Sequence, residues 1–235
     1  MAELFAEAGV ETPAVLTEGG EFYRAEGRTL EVRHAGGSYH PVSLPEGVMR
    51  FHMTRRTLTP ITANNSASLF ALEGDLRLVE FHSKANALTD ESMEIVAAAA
   101  ADHGKGIIIH NDAQHFSAGV DLNAFRAYIE AEDWDGIDGF LDRFQKAVCA
   151  LKYTPVPVVG APSGLAAGGG YEVLAHCDRL VVHTNSVMGL VEAGVGVVPG
   201  GGGIKDTFFR WHAAKDSWDE AAWQTWMNIG YGATG

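Results

Sequence analysis

Cysteine is scarce in this chain, whose 235 residues contain only Cys149 and Cys177. Neither residue belongs to a CxxC pair. The sequence therefore lacks both the dense disulfide framework of small secreted domains and the usual spacing of zinc ligands. Both cysteines lie in apolar stretches. We expect two buried thiols in a reducing compartment, and hence a cytoplasmic protein.

Positive charge is also in short supply. The chain has 17 Lys and Arg residues against 30 Asp and Glu residues, which gives a net charge of −13 with neutral histidines. That sign argues against a protein that binds nucleic acid through its phosphates. An anionic ligand would have to be held locally in a pocket, by backbone N–H groups and one or two cations. Because no run of about 18 apolar residues occurs, we expect no membrane span.

Several cofactor and catalytic motifs are missing as well. The sequence has no HExxH, GxSxG, GxGxxG or GK[ST] pattern. Four histidines, His110, His115, His176 and His183, fit no metal-ligand spacing, which favours structural or surface roles for them. We therefore expect neither a metal nor a redox cofactor.

What is present is the composition of a globular protein, with 46% hydrophobic and 20% charged residues. Residues 21–42 alternate polar and apolar side chains between glycine turns, which predicts a small antiparallel meander. Residues 54–68 are polar and aperiodic, which predicts a linker. We expect a β-rich extension over residues 1–66 and one main domain over residues 67–235.

From residue 69 onward, strand and helix patterns alternate. The predicted strands cover residues 69–72, 76–82, 106–110, 156–161 and 179–183, and the predicted helices cover residues 90–103 and 134–152. Thr89 is the predicted N-cap of the first of these helices, because Asp90 and Glu91 follow it in the favourable first turn. This order predicts an α/β domain whose later strands are buried.

Two glycine-containing segments are candidates for ligand binding. Residues 115–122 follow a strand and contain small residues that would let a ligand approach the backbone, although a tight turn would need them equally. Residues 164–172 contain three consecutive glycines. At the start of a helix these would direct free N–H groups at an anion or a developing oxyanion; close packing of a helix on a strand is the alternative.

Two glutamates are candidates for proton transfer. Glu172 follows the three glycines, and Glu192 lies among apolar and small residues within 187–203. Desolvation raises the pKa of a carboxylate towards the range that is useful for proton transfer. A solvent-facing side chain is the ordinary alternative for each residue. Together they form a candidate acid/base pair.

Taken together, these segments resemble the crotonase family, the enoyl-CoA hydratase and isomerase superfamily. The matching strings are ANAL at 85–88, FSAGVDL at 116–122, PVVGAPSGLAAGGGYEVLAHCD at 157–178 and MGLVEAGVGVVPGGGG at 188–203. The resemblance implies an α/β fold built as a spiral of ββα units and assembled as a homo-oligomer, usually a trimer. It also implies an acyl-CoA thioester substrate, with coenzyme A as part of the substrate.

The resemblance assigns roles to individual residues. It implies that the backbone N–H groups of Val120 and Gly169 form an oxyanion hole, and that Glu172 and Glu192 are the catalytic pair. It further implies contacts with coenzyme A from Lys84, Ala85, Ala87, Ala118, Val120, Asp121, Leu122 and Gly169. The presence of both glutamates favours hydration of 2-enoyl-CoA thioesters in fatty-acid β-oxidation. An enoyl-CoA isomerase and an acyl-CoA-binding fragment without turnover are the alternatives.

Residues 1–66 resemble the connecting region of bacterial proteins that fuse a 3-hydroxyacyl-CoA dehydrogenase to a hydratase. Since the family continues well past residue 235, we expect a truncated module of such a bifunctional protein, with little activity in this chain alone. The truncation should leave a poorly covered apolar patch. The residues expected in it are Trp211, Trp218, Trp223 and Trp226.

Overall fold

A computed structural model describes residues 2–17, 19–27, 29–48 and 50–231 of the chain. The chain divides into two compact units, Met1–Thr59 and Pro60–Gly235. This division lies a few residues before the predicted boundary between residues 66 and 67. The reason is that strand pairing within the second unit begins inside the predicted linker.

In its described residues, the first unit combines three short α-helices with a small sheet, and a 3-10 turn, Arg55–Thr57, follows the last of these helices. In chain order its elements are α1 (Ala2–Glu7), α2 (Ala14–Thr17), β1 (Tyr23–Glu26), β2 (Thr29–Arg33), β3 (Tyr39–Pro41) and α3 (Phe51–Thr54). The strands pair antiparallel in the order β1-β2-β3, which confirms the predicted meander. Leu30 and Phe51 are buried in this unit. The helices were not predicted, because segments this short carry no full amphipathic period.

The second unit contains the remaining elements. They are β4 (Thr62–Ala63), β5 (Ala67–Leu72), β6 (Leu76–Phe81), α4 (Asp90–Ala101), β7 (Gly106–Ile109), α5 (Leu122–Glu130), α6 (Trp134–Lys152), β8 (Val158–Gly160), β9 (Leu165–Ala167), α7 (Gly169–Ala175), β10 (Arg179–Leu180), β11 (Val187–Gly189), α8 (Gly203–Lys215) and α9 (Trp218–Tyr231). Six strands form one sheet in the order β10-β8-β7-β6-β5-β4, and β9 pairs with β11 separately.

The main sheet changes from antiparallel to parallel at β6. β5 and β6 form an antiparallel hairpin, whereas β7 pairs in parallel with β6, β8 with β7, and β10 with β8. A helix lies in each connection between parallel neighbours, as such crossovers require. Helices α4 and α6 pack against each other, and α4 packs on β5 and β6. The largest fully buried side chains of this core include Phe81, Ile107, Ile109, Phe116, Phe144 and Leu151. The α/β prediction is confirmed.

Two local predictions were wrong, and one helix was missed. The predicted linker contains β4 and the first residues of β5, which become ordered by pairing with each other and with β6. The predicted buried strand at 179–183 is only Arg179–Leu180, and both residues are exposed because β10 lies at the edge of the sheet. Helix α5 was not predicted at all.

Helices α8 and α9 pack against each other at the C-terminal side of the second unit. Trp218, Trp223 and Trp226 are all more than half exposed, at 60%, 54% and 56%. Trp211 is half-buried. Three of the four tryptophans expected in an apolar patch are therefore exposed.

Helix α4 begins with a capping box, at the predicted N-cap. The Thr89 hydroxyl accepts a hydrogen bond from Ser92 N–H at 3.2 Å, and the Ser92 hydroxyl accepts one from Thr89 N–H at 3.2 Å. The Thr89 hydroxyl also donates to Ser66 Oγ at 2.9 Å, which ties the helix start to the segment before β5. Such caps satisfy N–H groups that the first helical turn leaves without partners.

Replacing Thr89 with alanine should lower the free energy of unfolding of the second unit by about 1–2 kcal/mol, because the cap is lost. Urea unfolding followed by tryptophan fluorescence measures this unit alone, since all five tryptophans lie within it. Thr184→Ala, in an exposed turn, is the matched control and should change stability by less than about 0.5 kcal/mol. Equal effects of the two substitutions would contradict the role of the cap.

Candidate active site

Two short strands outside the main sheet bring the predicted site residues together. β9 and β11 pair in parallel over three residues each. Helix α7 follows β9, and the 3-10 turn Glu192–Val195 follows β11. Because parallel strands have their carboxyl ends at the same edge, the start of α7 and Glu192 lie side by side. Gly168 N–H donates to Gly189 O at 2.9 Å and extends this pairing to the start of the helix.

The predicted helix start at the three glycines is confirmed. Gly168 is the N-cap of α7, with a φ of 51°, and Gly169 is its first residue. A Cβ atom on Gly168 would lie 2.9 Å from Glu192 Oε1, and one on Gly169 would lie 2.8 Å from Val120 Cγ2. Glycine is therefore required here because other groups approach the backbone closely.

Val120 and Gly169, the two predicted backbone donors, are neighbours in space. A Cβ atom on Gly169 would lie 3.5 Å from Val120 N. Val120 forms a parallel bridge with Leu88, in which Leu88 N–H donates to Gly119 O and Asp121 N–H donates to Leu88 O. This bridge leaves the Val120 N–H on the side away from Leu88. Within the described part of the chain, neither the Val120 nor the Gly169 N–H donates a backbone hydrogen bond.

Glu172 lies in the first turn of α7 and is only 2% exposed. Its Oε1 atom accepts hydrogen bonds from Gly201 N–H at 2.8 Å and from Gly203 N–H at 2.9 Å. Burial raises the pKa of Glu172 to about 7; the hydrogen bond from Gly203 opposes the rise, and the negative charge of Glu192 adds to it. Glu172 is thus the buried carboxylate that the sequence predicted.

Glu192 is half-buried at the start of its 3-10 turn. Its Oε2 atom accepts a hydrogen bond from Val191 N–H at 2.8 Å, and its Oε1 atom lies against Gly168. Burial raises the pKa of this carboxylate above its usual range. The two glutamates therefore approach the start of α7 from different segments, and each has a raised pKa.

Seven of the eight residues predicted to contact coenzyme A lie along two adjacent segments, 84–87 and 118–122, and the eighth, Gly169, begins α7. Ala118 N–H donates to Ala85 O at 3.2 Å, which places the segment of Lys84, Ala85 and Ala87 beside the segment that carries Val120. Asp121 caps α5 by accepting a hydrogen bond from Asn123 N–H at 2.9 Å. The exposed members of this set are Lys84, Ala85, Ala118 and Leu122, whereas Ala87 and Asp121 are partly buried. The structure thus brings all of them near the first backbone donor.

The backbone of this region is held in an uncommon conformation. Ala85 and Asn86 have φ angles of 57° and 51°, which non-glycine residues rarely adopt. The Asn86 amide donates to His115 O at 2.8 Å, and the Ser117 hydroxyl donates to Asn86 O at 2.8 Å. These bonds fix the turn next to the Val120 segment. Such strain persists only where the surroundings compensate for it.

Sequence reasoning missed the groups that hold Glu172. Residues 200–203 enter the sequence analysis only as the end of the matching string 188–203, yet Gly201 and Gly203 supply both donors to the carboxylate. His176 and Asp206, which lie behind this run, were also missed as site residues. The only signal was the run of four glycines itself, since a donor pair that is distant in the sequence has no local pattern.

The arrangement combines two unengaged backbone donors with two carboxylates of raised pKa, which is suited to stabilising an oxyanion while a proton is transferred. Among the residues that the structure describes, no group of three or more His, Cys, Asp or Glu side chains is placed to hold a metal ion. Over the same residues, no helix is long and apolar enough to cross a membrane.

Comparison with known proteins identifies relatives of this chain. A family model described as enoyl-CoA hydratase/isomerase matches residues 76–211. A Bacillus subtilis protein named "Probable 3-hydroxyacyl-CoA dehydrogenase" is 33% identical over 219 residues, which are 89% of this chain and 27% of that protein. The fatty acid oxidation complex subunit alpha of Idiomarina loihiensis is 33% identical over 102 residues, 43% of this chain and 14% of that subunit. The chain thus spans about a quarter or less of the length of these relatives.

The fold comparison agrees with the family match. The crystal structure of an enoyl-CoA hydratase from a Polaromonas species superposes with a TM-score of 0.62 at 20% identity, over 72% of this chain and 65% of that chain. At this identity the similarity concerns the fold alone, and it confirms the predicted crotonase-like fold. Since the family model matches more than half of its residues, this chain belongs to the enoyl-CoA hydratase/isomerase family.

Proposed function

We propose that this chain is an enoyl-CoA hydratase that adds water to 2-enoyl-CoA thioesters. One observation supports this above all. Two carboxylates with raised pKa, those of Glu172 and Glu192, lie near the paired N–H groups of Val120 and Gly169. Family membership supports an acyl-CoA substrate, whose coenzyme A part would lie along the segments that contain Ala85 and Ala118.

The two backbone N–H groups would bind the thioester oxygen. When water adds to C3 of the conjugated thioester and gives up a proton, negative charge moves to the thioester oxygen in an enolate-like state. Donors that are already in place stabilise this charge more than they stabilise the neutral substrate, and this difference lowers the barrier.

The two carboxylates would move the protons. One carboxylate accepts a proton from the attacking water as its oxygen bonds to C3, and the other, protonated carboxylate gives its proton to C2. This requires a pair that holds one proton. A pKa of about 7 leaves Glu172 partly protonated near neutrality, and repulsion between the two charges opposes the loss of that proton.

An isomerase would shift the double bond of a 3-enoyl thioester by moving one proton, for which a single carboxylate suffices. The presence of two carboxylates at the same helix start therefore favours hydration. Comparison of turnover on 2-enoyl and 3-enoyl thioesters distinguishes the two reactions.

The relatives suggest that this reaction takes place in a longer protein. Hydration yields a 3-hydroxyacyl-CoA, which is the substrate that the name of the Bacillus subtilis relative indicates. We further propose that the chain is the hydratase part of a longer protein that also carries a 3-hydroxyacyl-CoA dehydrogenase. That protein would be cytoplasmic and homo-oligomeric and would act in fatty-acid β-oxidation.

Replacing either glutamate with glutamine should lower kcat for crotonyl-CoA hydration by about 10²–10⁴, with the double change little worse than the worse single one, since the pair acts as a unit. Glu94→Gln, on the exposed face of α4, is the matched control and should retain full activity. Unchanged turnover in either site variant would refute that residue's role. Acyl-CoA binding by calorimetry without any wild-type turnover would favour the non-catalytic alternative.

The Gly169 N–H can be tested separately from the space around it. Both Gly169→Ala and Gly169→Pro add a Cβ atom near Val120, but only proline removes the N–H group. The proline variant should therefore turn over roughly 10²–10³ more slowly than the alanine variant. Steady-state hydration assays on folded variants measure the ratio, and equal rates would rule out this N–H as an oxyanion donor.

The raised pKa of Glu172 also predicts how stability depends on pH. Between the ordinary value of 4.5 and about 7, the folded state binds more protons than the unfolded state, so stability falls as pH rises. Glu172→Gln does not lose stability in this way. The free energy of unfolding of the variant, relative to that of the wild type, should therefore increase by roughly 2–3 kcal/mol between pH 5 and pH 8. Urea unfolding at the two pH values checks this, with Glu94→Gln as control. A difference that does not change with pH would contradict the burial of an ionisable Glu172.

A further inference from the structure

A buried charged cluster lies behind the proposed catalytic pair and takes no part in the mechanism described above. His176, at the end of α7, and Asp206, in the first turn of α8, are each only 1% exposed. His176 Nε2 lies 2.6 Å from Asp206 Oδ2 without hydrogen-bond geometry, so the contact is an ion pair that attracts only when both ring nitrogens carry a proton. Lys152, the last residue of α6, and Lys205 also pair with Asp206. Their positive charges and His176 outweigh the effect of burial, so the pKa of Asp206 lies below its usual range.

The His176 ring contacts both parts of the Glu172 site. Its Nδ1 atom lies 2.7 Å from the backbone oxygen of Glu172. A Cβ atom on Gly202 would lie 3.2 Å from Cε1 and 3.3 Å from Nε2 of the ring. Gly202 stands between the two residues whose N–H groups bond the Glu172 carboxylate, and Asp206 N–H donates to Gly202 O at 3.1 Å.

These contacts restrain a segment of the site that would otherwise be flexible. Residues 201–203 are all glycine, and glycine loses more conformational freedom on ordering than any other residue. Two donors carried by such a segment keep their place only if neighbouring groups restrain it. The His176 ring on one side and the Asp206 N–H on the other supply that restraint.

We infer that His176 is a positioning residue for Glu172, which acts by holding Asp206 and the glycine segment at 201–203 so that two N–H groups stay on the carboxylate. The catalytic consequence of this role rests on the proposed function; the positioning itself does not. The inference also explains why a polar ring is buried at this point rather than an aliphatic side chain.

Three substitutions of His176 distinguish the contact of Nδ1 with Glu172 O from the contact of Nε2 with Asp206. Asparagine places an amide where Nδ1 lies and keeps the contact with Glu172 O. Glutamine places an amide where Nε2 lies and keeps the contact with Asp206. Leucine keeps neither contact. The pKa of Glu172 is measured by carbon-13 NMR of labelled glutamate carboxyl groups, with the signal assigned by its loss in Glu172→Gln. This measurement does not depend on turnover.

The leucine and asparagine variants should raise the pKa of Glu172 by about one unit, because weaker hydrogen bonds disfavour the ionised carboxylate. They should also lower kcat for crotonyl-CoA hydration roughly tenfold, with little change in KM. The glutamine variant should stay closer to wild type than the asparagine variant in both respects, because it loses the ring but keeps a donor on Asp206. If leucine prevents folding, the comparison of asparagine with glutamine decides.

Arg210→Met is the matched structural control. The Arg210 guanidinium also ties α8 to the end of α7, by donating to Ala175 O and Cys177 O, but these contacts lie away from the glycine segment. An equal shift in Arg210→Met, or an unshifted Glu172 in both His176→Leu and His176→Asn, would overturn the inference. Shifted pKa values in a chain that does not hydrate crotonyl-CoA would support the positioning role and refute the proposed function instead.

Discussion

The carboxylate of Glu172 is removed from water, and it is kept in place by two N–H groups from residues that follow it by 29 and 31 positions. A buried carboxylate without such donors would carry a large desolvation penalty. The contact therefore links α7 to the glycine segment before α8 and fixes the distance between them. The cluster of His176 and Asp206 packs behind this link, where the His176 ring lies close to Gly202.

The parallel pair β9 and β11 provides the rest of the geometry. The pair places Glu192 beside Gly168, and the adjoining segment places Val120 beside Gly169. Four polar groups from three separate segments of the second unit thus meet at one helix start. A chain with a net charge of −13 does not attract an anionic thioester by its overall field, so binding must come from such local donors.

Patterns that act within one segment were readable from the sequence. The helix Trp134–Lys152, the cap at Thr89 and the glycine start of α7 all have local signals in side-chain periodicity or turn chemistry. The exposure of Arg179–Leu180 has none, because an edge position depends on which strands pair elsewhere. The donors to Glu172 and the contact of His176 with Asp206 were equally invisible, since each joins segments that are distant in the sequence. The local sequence around Glu172 and Glu192 made them candidates and the family resemblance assigned them as the catalytic pair, but only the structure shows what holds Glu172 in position.

In the proposed hydratase, a thioester carbonyl binds between the N–H groups of Val120 and Gly169 with Glu172 beside it. The most direct measurement is the isotope-edited infrared spectrum of bound butyryl-CoA labelled with carbon-13 at the thioester carbonyl, because this saturated thioester cannot be hydrated. We expect a carbonyl stretch at lower frequency than in water, with the shift reduced in Gly169→Pro and retained in Glu172→Gln. An unshifted carbonyl band in the wild-type complex would contradict it.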